Sequence, residues 1–160
     1  MAKALVVYDS KTGNTEKMAK AIAEGMKEAA LDVEVKRVDD ASPEDLVGAD
    51  IIVLGSPTHF AGMSSKMKAF IEQSSGLHRA GELRDKIVAA FTSSSTTTQG
   101  NQTTILSLVQ AMLEHRMVIV GHQDGSFGAI AIKEPDDKCL TDCKEFGQRI
   151  ASIAKLMRGN

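Results

Sequence analysis

The stretch Ala4-Leu5-Val6-Val7-Tyr8-Asp9-Ser10-Lys11-Thr12-Gly13-Asn14-Thr15 decides the fold. It opens with a continuous apolar run rich in β-branched residues, which is typical of a strand covered on both faces of a sheet. After Tyr8 the sequence changes to hydroxyl-bearing residues and one glycine. Apolar residues then recur at helical spacing, on the face formed by Thr15, Met18, Ala19, Ile22, Ala23 and Met26. The pattern predicts a buried strand that enters a helix through a loop at residues 10–15.

The same alternation of strand and helix recurs along the chain. Continuous apolar runs at residues 51–54, 87–91 and 117–120 predict three more buried strands, and the alternating run 33–38 predicts an edge strand. Strands that alternate with helices are joined by right-handed crossovers into a parallel sheet. We therefore predict an α/β three-layer sandwich in a single domain over residues 1–160. Its parallel sheet has five strands and helices on both faces.

Composition and charge exclude several classes of protein. The 160 residues carry a net charge of −2 and no tryptophan, which does not match the basic surface that nucleic acid requires. No apolar run approaches the roughly 20 residues that span a bilayer, and the start of the chain leads into a strand rather than a signal peptide, so we expect a cytoplasmic protein without a membrane partner. Cys139 and Cys143 are too few for a four-ligand zinc site, so no metal is predicted. Their helical spacing with Phe146 and Ile150 indicates a packed helix face rather than a redox dithiol.

The loop at residues 10–15 is the first of three that are placed to carry chemistry, because ligands of open parallel sheets bind beyond the carboxyl ends of the strands. Its hydroxyls and backbone N–H groups at a helix N-terminus suit a phosphate. A second interpretation stays open, in which the hydroxyls only cap the helix. The loop lacks the spacing of a Walker A motif and of a Gly-x-Gly-x-x-Gly turn. A phosphorylation receiver domain is set aside as well, because it needs a carboxylate where the third strand ends in Gly55-Ser56.

The loops after the third and fourth strands add an aromatic side chain and a polar rim. Phe60 stands between Pro57 and Gly62, and we expect its ring to offer a flat surface to a planar ligand; burial of the ring in the core is the alternative. Residues 92–101 offer hydroxyls and the Gln99 amide, either to a ligand or as a capped, solvated loop. A phosphate anchor, an aromatic edge and a polar rim together suit a phosphorylated planar heterocycle such as flavin mononucleotide (FMN).

At these residues the chain resembles flavodoxins and, more closely, the flavodoxin-like NAD(P)H:quinone oxidoreductases of the tryptophan-repressor-binding-protein family. The resemblance covers nearly the whole chain and is carried by Ser10-x-Thr12-Gly13-x-Thr15, by residues 55–65 and by Phe91-Thr92-Ser93-Ser94. It implies the strand order 2-1-3-4-5, FMN as the cofactor, a phosphate site at the first loop, and the ring bordered by residues 58–60 and 93–100. The predicted cofactor-binding residues are Ser10, Lys11, Thr12, Gly13, Asn14, Thr15, Pro57, Thr58, His59, Phe60, Ala61, Gly62, Ser93, Ser94, Ser95, Thr96, Thr97, Thr98, Gln99 and Gly100.

The chain also departs from the quinone oxidoreductases. Their insertion between the second and third strands and their longer segment after the fifth are associated with tetramer and substrate-site formation. Here residues 39–50 and 121–136 are short, so an oligomer is not indicated. Their aromatic over the flavin corresponds to His78, and residues 92–101 hold no aromatic, so we expect one open flavin face. Without arginine the phosphate site is expected to be poor in positive charge, which should lower the flavin potential.

These features support two redox functions. The first interpretation is an FMN-binding, flavodoxin-type redox protein that transfers electrons between protein partners, which the short insertions favour. The alternative is an FMN-dependent NAD(P)H:quinone oxidoreductase, which the open flavin face favours. A flavin-free regulatory domain is a third, less favoured interpretation, because the phosphate signature is intact. The flavin would carry the chemistry, with His59 and His78 as the candidate catalytic side chains.

Overall fold

The computed structural model describes residues 1–159. Within them the strands are β1 Lys3–Tyr8, β2 Asp32–Arg37, β3 Ile51–Pro57, β4 Ile87–Ser94, β5 Val118–Ile119 and β6 Ala129–Ile132. The α-helices are α1 Asn14–Glu28, α2 Pro43–Gly48, α3 Ser65–Gln73, α4 Ser75–Ala80, α5 Asn101–Glu114 and α6 Asp137–Arg158. A 3-10 turn at Val38–Asp40 follows β2.

The strands form one parallel sheet with the order β2-β1-β3-β4-β5. β1 lies between β2 and β3, since Val6 pairs with Val35 on β2 and with Val53 on β3. The connection from β1 to β2 therefore runs toward one edge of the sheet, and the following strands extend toward the other edge. The predicted three-layer α/β fold and its strand order are confirmed.

The fifth position of the sheet is shared by two strands, where the sequence predicted one. β5 pairs with the start of β4 at Ile87 and Val88, and β6 pairs with its end, from Phe91 to Ser94. Residues 121–128, named here the excursion, leave the sheet between them. Gly128 allows the return, because a Cβ there would lie 2.1 Å from the Ala90 carbonyl oxygen. The strand β6 escaped prediction because its four residues, Ala129–Ile132, are short and mixed in character.

Two apolar layers enclose the sheet. Helices α1 and α6 pack on one face around Met18, Ile22 and Phe146, whereas α3 and α5 cover the other face around Met67, Phe70 and Leu108. α1 and α6 come very close, since a Cβ on Gly147 would meet the Ile22 carbonyl oxygen at 2.1 Å. This contact fixes α6 against α1, and therefore fixes the loop that precedes α6 beside the start of α1.

The predicted packing role of the cysteines agrees with their burial. Cys143 is fully buried with Phe146 and Ile150 on the inner face of α6, while Cys139 is half-buried. A hydrogen bond with Cys139, together with burial, raises the pKa of the Cys143 thiol.

No helix in residues 1–159 is long and apolar enough to cross a membrane.

Candidate functional site

Two adjoining cavities lie at the carboxyl ends of β1, β3 and β4, where the winding of the sheet reverses. The smaller, named here the cleft, has a volume of about 420 Å³ and extends from the first loop to the residues after β6. The larger, named the groove, has a volume of about 1090 Å³ and extends past the loop after β3. The two cavities share four lining residues and therefore form one continuous site. The shared residues are Lys11, Thr58, His59 and Ser95.

The loop after β1 uses one hydroxyl to cap the helix and leaves other backbone amides free. The buried Ser10 hydroxyl accepts hydrogen bonds from the amides of Gly13 (3.1 Å) and Glu16 (3.3 Å), so it shapes the loop and does not line the cleft. Gly13 takes a left-handed φ of 94°, which favours glycine. The amides of Thr12, Asn14 and Thr15 form no hydrogen bond within residues 1–159, and all three residues line the cleft. Free amides at a helix N-terminus attract an anion.

A network of hydroxyl groups forms the floor of the site. The buried Thr15 hydroxyl lies 2.8 Å from the Ser93 hydroxyl and ties the start of α1 to β4. The Thr58 hydroxyl lies 2.9 Å from that of Thr92 and accepts a 3.1 Å hydrogen bond from Thr104 on α5. These neutral groups fix the three loops relative to one another without placing a charge under the ligand.

Phe60 projects from a strained turn beside the groove. His59 and Gly62 exchange backbone hydrogen bonds of 2.9 and 3.0 Å, which closes a two-residue hairpin around Phe60 and Ala61. Both central residues have left-handed φ angles, 48° and 61°. Such angles cost about 1 kcal/mol or more for a non-glycine residue. The phenyl ring is fully exposed, so its burial in the core is excluded and its face is available at the groove.

The loop after β4 is ordered by its own polar groups, although its sequence looks like low complexity. The Ser94 hydroxyl donates to the Thr96 carbonyl at 2.8 Å, and the Gln99 amide oxygen accepts from the Ser95 amide at 3.1 Å. Gly100, with a φ of 79°, lies against Ala61 of the neighbouring loop. The cavity-lining residues of this loop are Ser93, Ser94, Ser95, Thr98, Gln99 and Gly100, whereas Thr96 and Thr97 line neither cavity.

The structure adds two charged residues that the sequence analysis missed. Lys133 and Glu134 follow β6 and line the cleft together with residues of the first loop. No local motif marks them, because their position depends on the unpredicted strand β6 and on the pairing of the Lys133 amide with the Ser94 carbonyl at 2.7 Å. Lys133 adds a positive charge to that of Lys11, and Glu134 adds a negative charge beside it.

The other histidines lie away from the two cavities. Helices α3 and α5 lead away from the carboxyl ends of the strands. His78 and His115 therefore come together near the amino ends of the strands, with ring centroids 5.6 Å apart. The buried His115 Nε2 lies 2.8 Å from the Ser74 hydroxyl, and burial lowers the pKa of its imidazole. His122 is buried in the excursion. Of the two candidate catalytic histidines, the structure brings His59 to the site and does not bring His78.

The fold and the site together define an open α/β protein with a polar cleft beside a groove that an exposed aromatic side chain borders. The model of the flavodoxin domain family matches residues 5–126. A protein of Caulobacter vibrioides named NAD(P)H dehydrogenase (quinone) is 34% identical over 199 aligned positions, covering 99% of this chain and 100% of the relative. The alignment exceeds the 160 residues of the chain, so that relative has segments that this chain lacks.

Solved structures agree with the sequence relatives. A flavodoxin, WrbA-like protein from Agrobacterium tumefaciens superposes with a TM-score of 0.86 at 29% identity, covering 98% of this chain and 99% of that protein. A flavodoxin from the domain Archaea superposes with a TM-score of 0.81 at 31% identity, covering 96% and 99%. The chain belongs to the flavodoxin domain family, and this membership implies a flavin cofactor.

Proposed function

We propose that the protein binds FMN, with the phosphate in the cleft and the ring system in the groove. The free amides of Thr12, Asn14 and Thr15 support the phosphate position, because they lack partners within residues 1–159 and lie at the N-terminus of α1. The exposed ring of Phe60 and the volume of the groove support the ring position. When bound, FMN supplies hydride and single-electron chemistry.

The side chains of the chain bind and orient rather than react. Thr58 and Ser93 are held by hydroxyl partners on neighbouring elements, so they offer fixed polar contacts in the cleft. Phe60 would border the flavin ring, and the loop after β4 would hold its polar end, because both line the groove. His59 is the one imidazole that lines the site among the described residues, and it is exposed.

We propose that the protein is an FMN-dependent NAD(P)H:quinone oxidoreductase. The openness of the groove carries this proposal: its volume of about 1090 Å³ leaves room for a second planar molecule, and no aromatic side chain from residues 92–101 covers the ring face. The name of the Caulobacter relative supports the same reaction and suggests NAD(P)H and a quinone as substrates.

A second candidate function, electron transfer between protein partners, has its own support. The chain lacks segments present in the Caulobacter relative, and the fully exposed Phe60 offers an apolar contact at the site. The archaeal flavodoxin has nearly the same length, since the superposition covers 96% and 99% of the two chains.

A cytoplasmic location remains a prediction, which cell fractionation tests.

An anaerobic titration separates the two functions. FMN-loaded protein is mixed with NADH or NADPH, and the loss of oxidised-flavin absorbance is followed, with a short-chain quinone then added. We expect rapid bleaching by one pyridine nucleotide and recovery of absorbance with quinone over many turnovers. Full reduction by dithionite without any reaction with either nucleotide would instead establish the carrier function.

A further inference from the structure

Lys133 occupies a conformation that the tertiary structure imposes. Its φ is 63°, in the left-handed region that non-glycine residues rarely adopt, and its amide donates to the Ser94 carbonyl at 2.7 Å. The residue comes directly after β6, and its side chain lines the cleft. Strained residues of this kind concentrate at ligand sites, where the surrounding contacts hold them in place.

The ammonium group of Lys133 has no carboxylate partner within residues 1–159. The neighbouring Glu134 carboxylate forms an ion pair with Lys17 on α1. Lys11 also lines the cleft and also lacks an ion pair among residues 1–159. The cleft is therefore lined by two lysines without a carboxylate partner, together with the free amides of the first loop.

We propose that Lys133 is a specificity-determining residue that selects a phosphate-bearing flavin over riboflavin. The proposal rests on the proposed binding of FMN. A phosphate monoester carries close to two negative charges at neutral pH, and a charge-assisted contact to an ammonium strengthens its binding. Riboflavin has the same ring and no phosphate, so Lys133 adds nothing to its affinity. Lys133 is not among the residues that the family resemblance implied, which at the phosphate site lie in the first loop.

The proposal is tested by binding, without any enzymatic assay. FMN and riboflavin are titrated into the apoprotein by flavin fluorescence for the wild type and for Lys133→Gln. We expect Lys133→Gln to weaken FMN binding about three- to tenfold and to leave riboflavin binding unchanged. Lys133→Arg should restore the FMN affinity. Salt should weaken FMN binding more in the wild type than in Lys133→Gln, because salt screens the charge of the Lys133 ammonium and the variant lacks this group.

Lys138→Gln is the matched control, since it removes the same charge from an exposed residue of α6 that does not line the cleft. Equal losses for FMN and riboflavin, or no loss for FMN, would overturn the proposal. Inorganic phosphate provides a second probe: it should raise the unfolding midpoint of the wild type and of Lys138→Gln more than that of Lys133→Gln. If the wild type binds neither flavin, the proposed function fails, and the phosphate measurement still decides whether Lys133 binds an anion.

Discussion

At the scale of single residues, the contact between Gly100 and Ala61 positions the two loops that border the groove. A Cβ on Gly100 would lie 2.5 Å from the Ala61 Cβ and 2.7 Å from the Thr103 hydroxyl oxygen. Gly100 also has a left-handed φ of 79°. Glycine is therefore required here twice, once for the backbone angle and once for the close approach that holds the Phe60 turn.

Gly100→Ala should lower the free energy of unfolding by roughly 2–4 kcal/mol, the sum of a left-handed alanine and of overpacking. Gly125→Ala is the matched control, because Gly125 has a φ of 92° and a Cβ added there would meet nothing within 4 Å. It should cost only the backbone part, about 1 kcal/mol. Ala61→Gly in the Gly100→Ala background should recover part of the difference. Urea unfolding measures all of these, and equal losses for the two alanine variants would show that the loop contact contributes nothing.

At the scale of elements, the excursion is fastened to α6 by the Gln123 amide, which donates to the Asp142 carboxylate at 3.0 Å, and a buried imidazole lies beside this contact. His122 Nδ1 lies 2.8 Å from an Asp124 carboxylate oxygen, and Nε2 lies 2.9 Å from an Asp142 oxygen on α6. The Asp124 carboxylate also accepts hydrogen bonds from the Ser126 hydroxyl and amide. The excursion determines where β6 begins, and β6 places Lys133 in the cleft, so these contacts support the site from a distance.

Hydrogen bonds from Ser126 and then from His122 lower the pKa of Asp124 from 3.8 to about 2. Because the pKa is lower in the folded state, the carboxylate stabilises the fold above about pH 4, and this contribution is lost as the pH falls toward 2. Asp124→Asn should therefore be less stable than the wild type at pH 7, with a difference that shrinks between pH 4 and 2. Urea unfolding at pH 7, 4 and 3 measures it. Asp32→Asn, an exposed acid on β2, should show little difference at any pH, and a constant Asp124→Asn difference would contradict the expectation.

At the scale of the whole molecule, the two apolar layers share one sheet. Every central strand contributes side chains to both layers, as Val6 and Val7 of β1 do on opposite faces. Neither layer can lose its packing without exposing the sheet that supports the other. The single domain predicted for residues 1–160 should therefore unfold as one unit.

Far-UV circular dichroism and Tyr8 fluorescence should give coincident unfolding curves in urea. Tyr8 is a clean probe, because it is the only tyrosine in a chain without tryptophan and it is buried at the end of β1. FMN at about 100 times its Kd should shift both curves together by about 2.7 kcal/mol. Two separate transitions, or a shift seen by one probe alone, would contradict a single domain.

The sequence predicted the fold well because its signals are local. The continuous apolar runs of β1, β3 and β4 and the amphipathic α1 follow from side-chain periodicity, which a sequence displays directly. The first loop was recognisable for the same reason, since Gly13 and the hydroxyls around it stand at a strand-to-helix junction. The excursion and β6 were missed because β6 is short and acquires its strand form from pairing with β4.

The composition and order of residues by themselves determined the α/β class, the strand order implied by the family resemblance, and the three loops that meet at the carboxyl edge of the sheet. Only the tertiary structure decided that Phe60 points outward, that His78 lies near the amino ends of the strands, and that Lys133 joins the cleft. The physical reason is the separation along the chain over which each interaction acts. Periodicity and turn chemistry act between neighbours in sequence. In contrast, Lys133 meets Ser94 and joins Lys11 in the lining of the cleft only after β6 has paired with β4 and α6 has packed on α1.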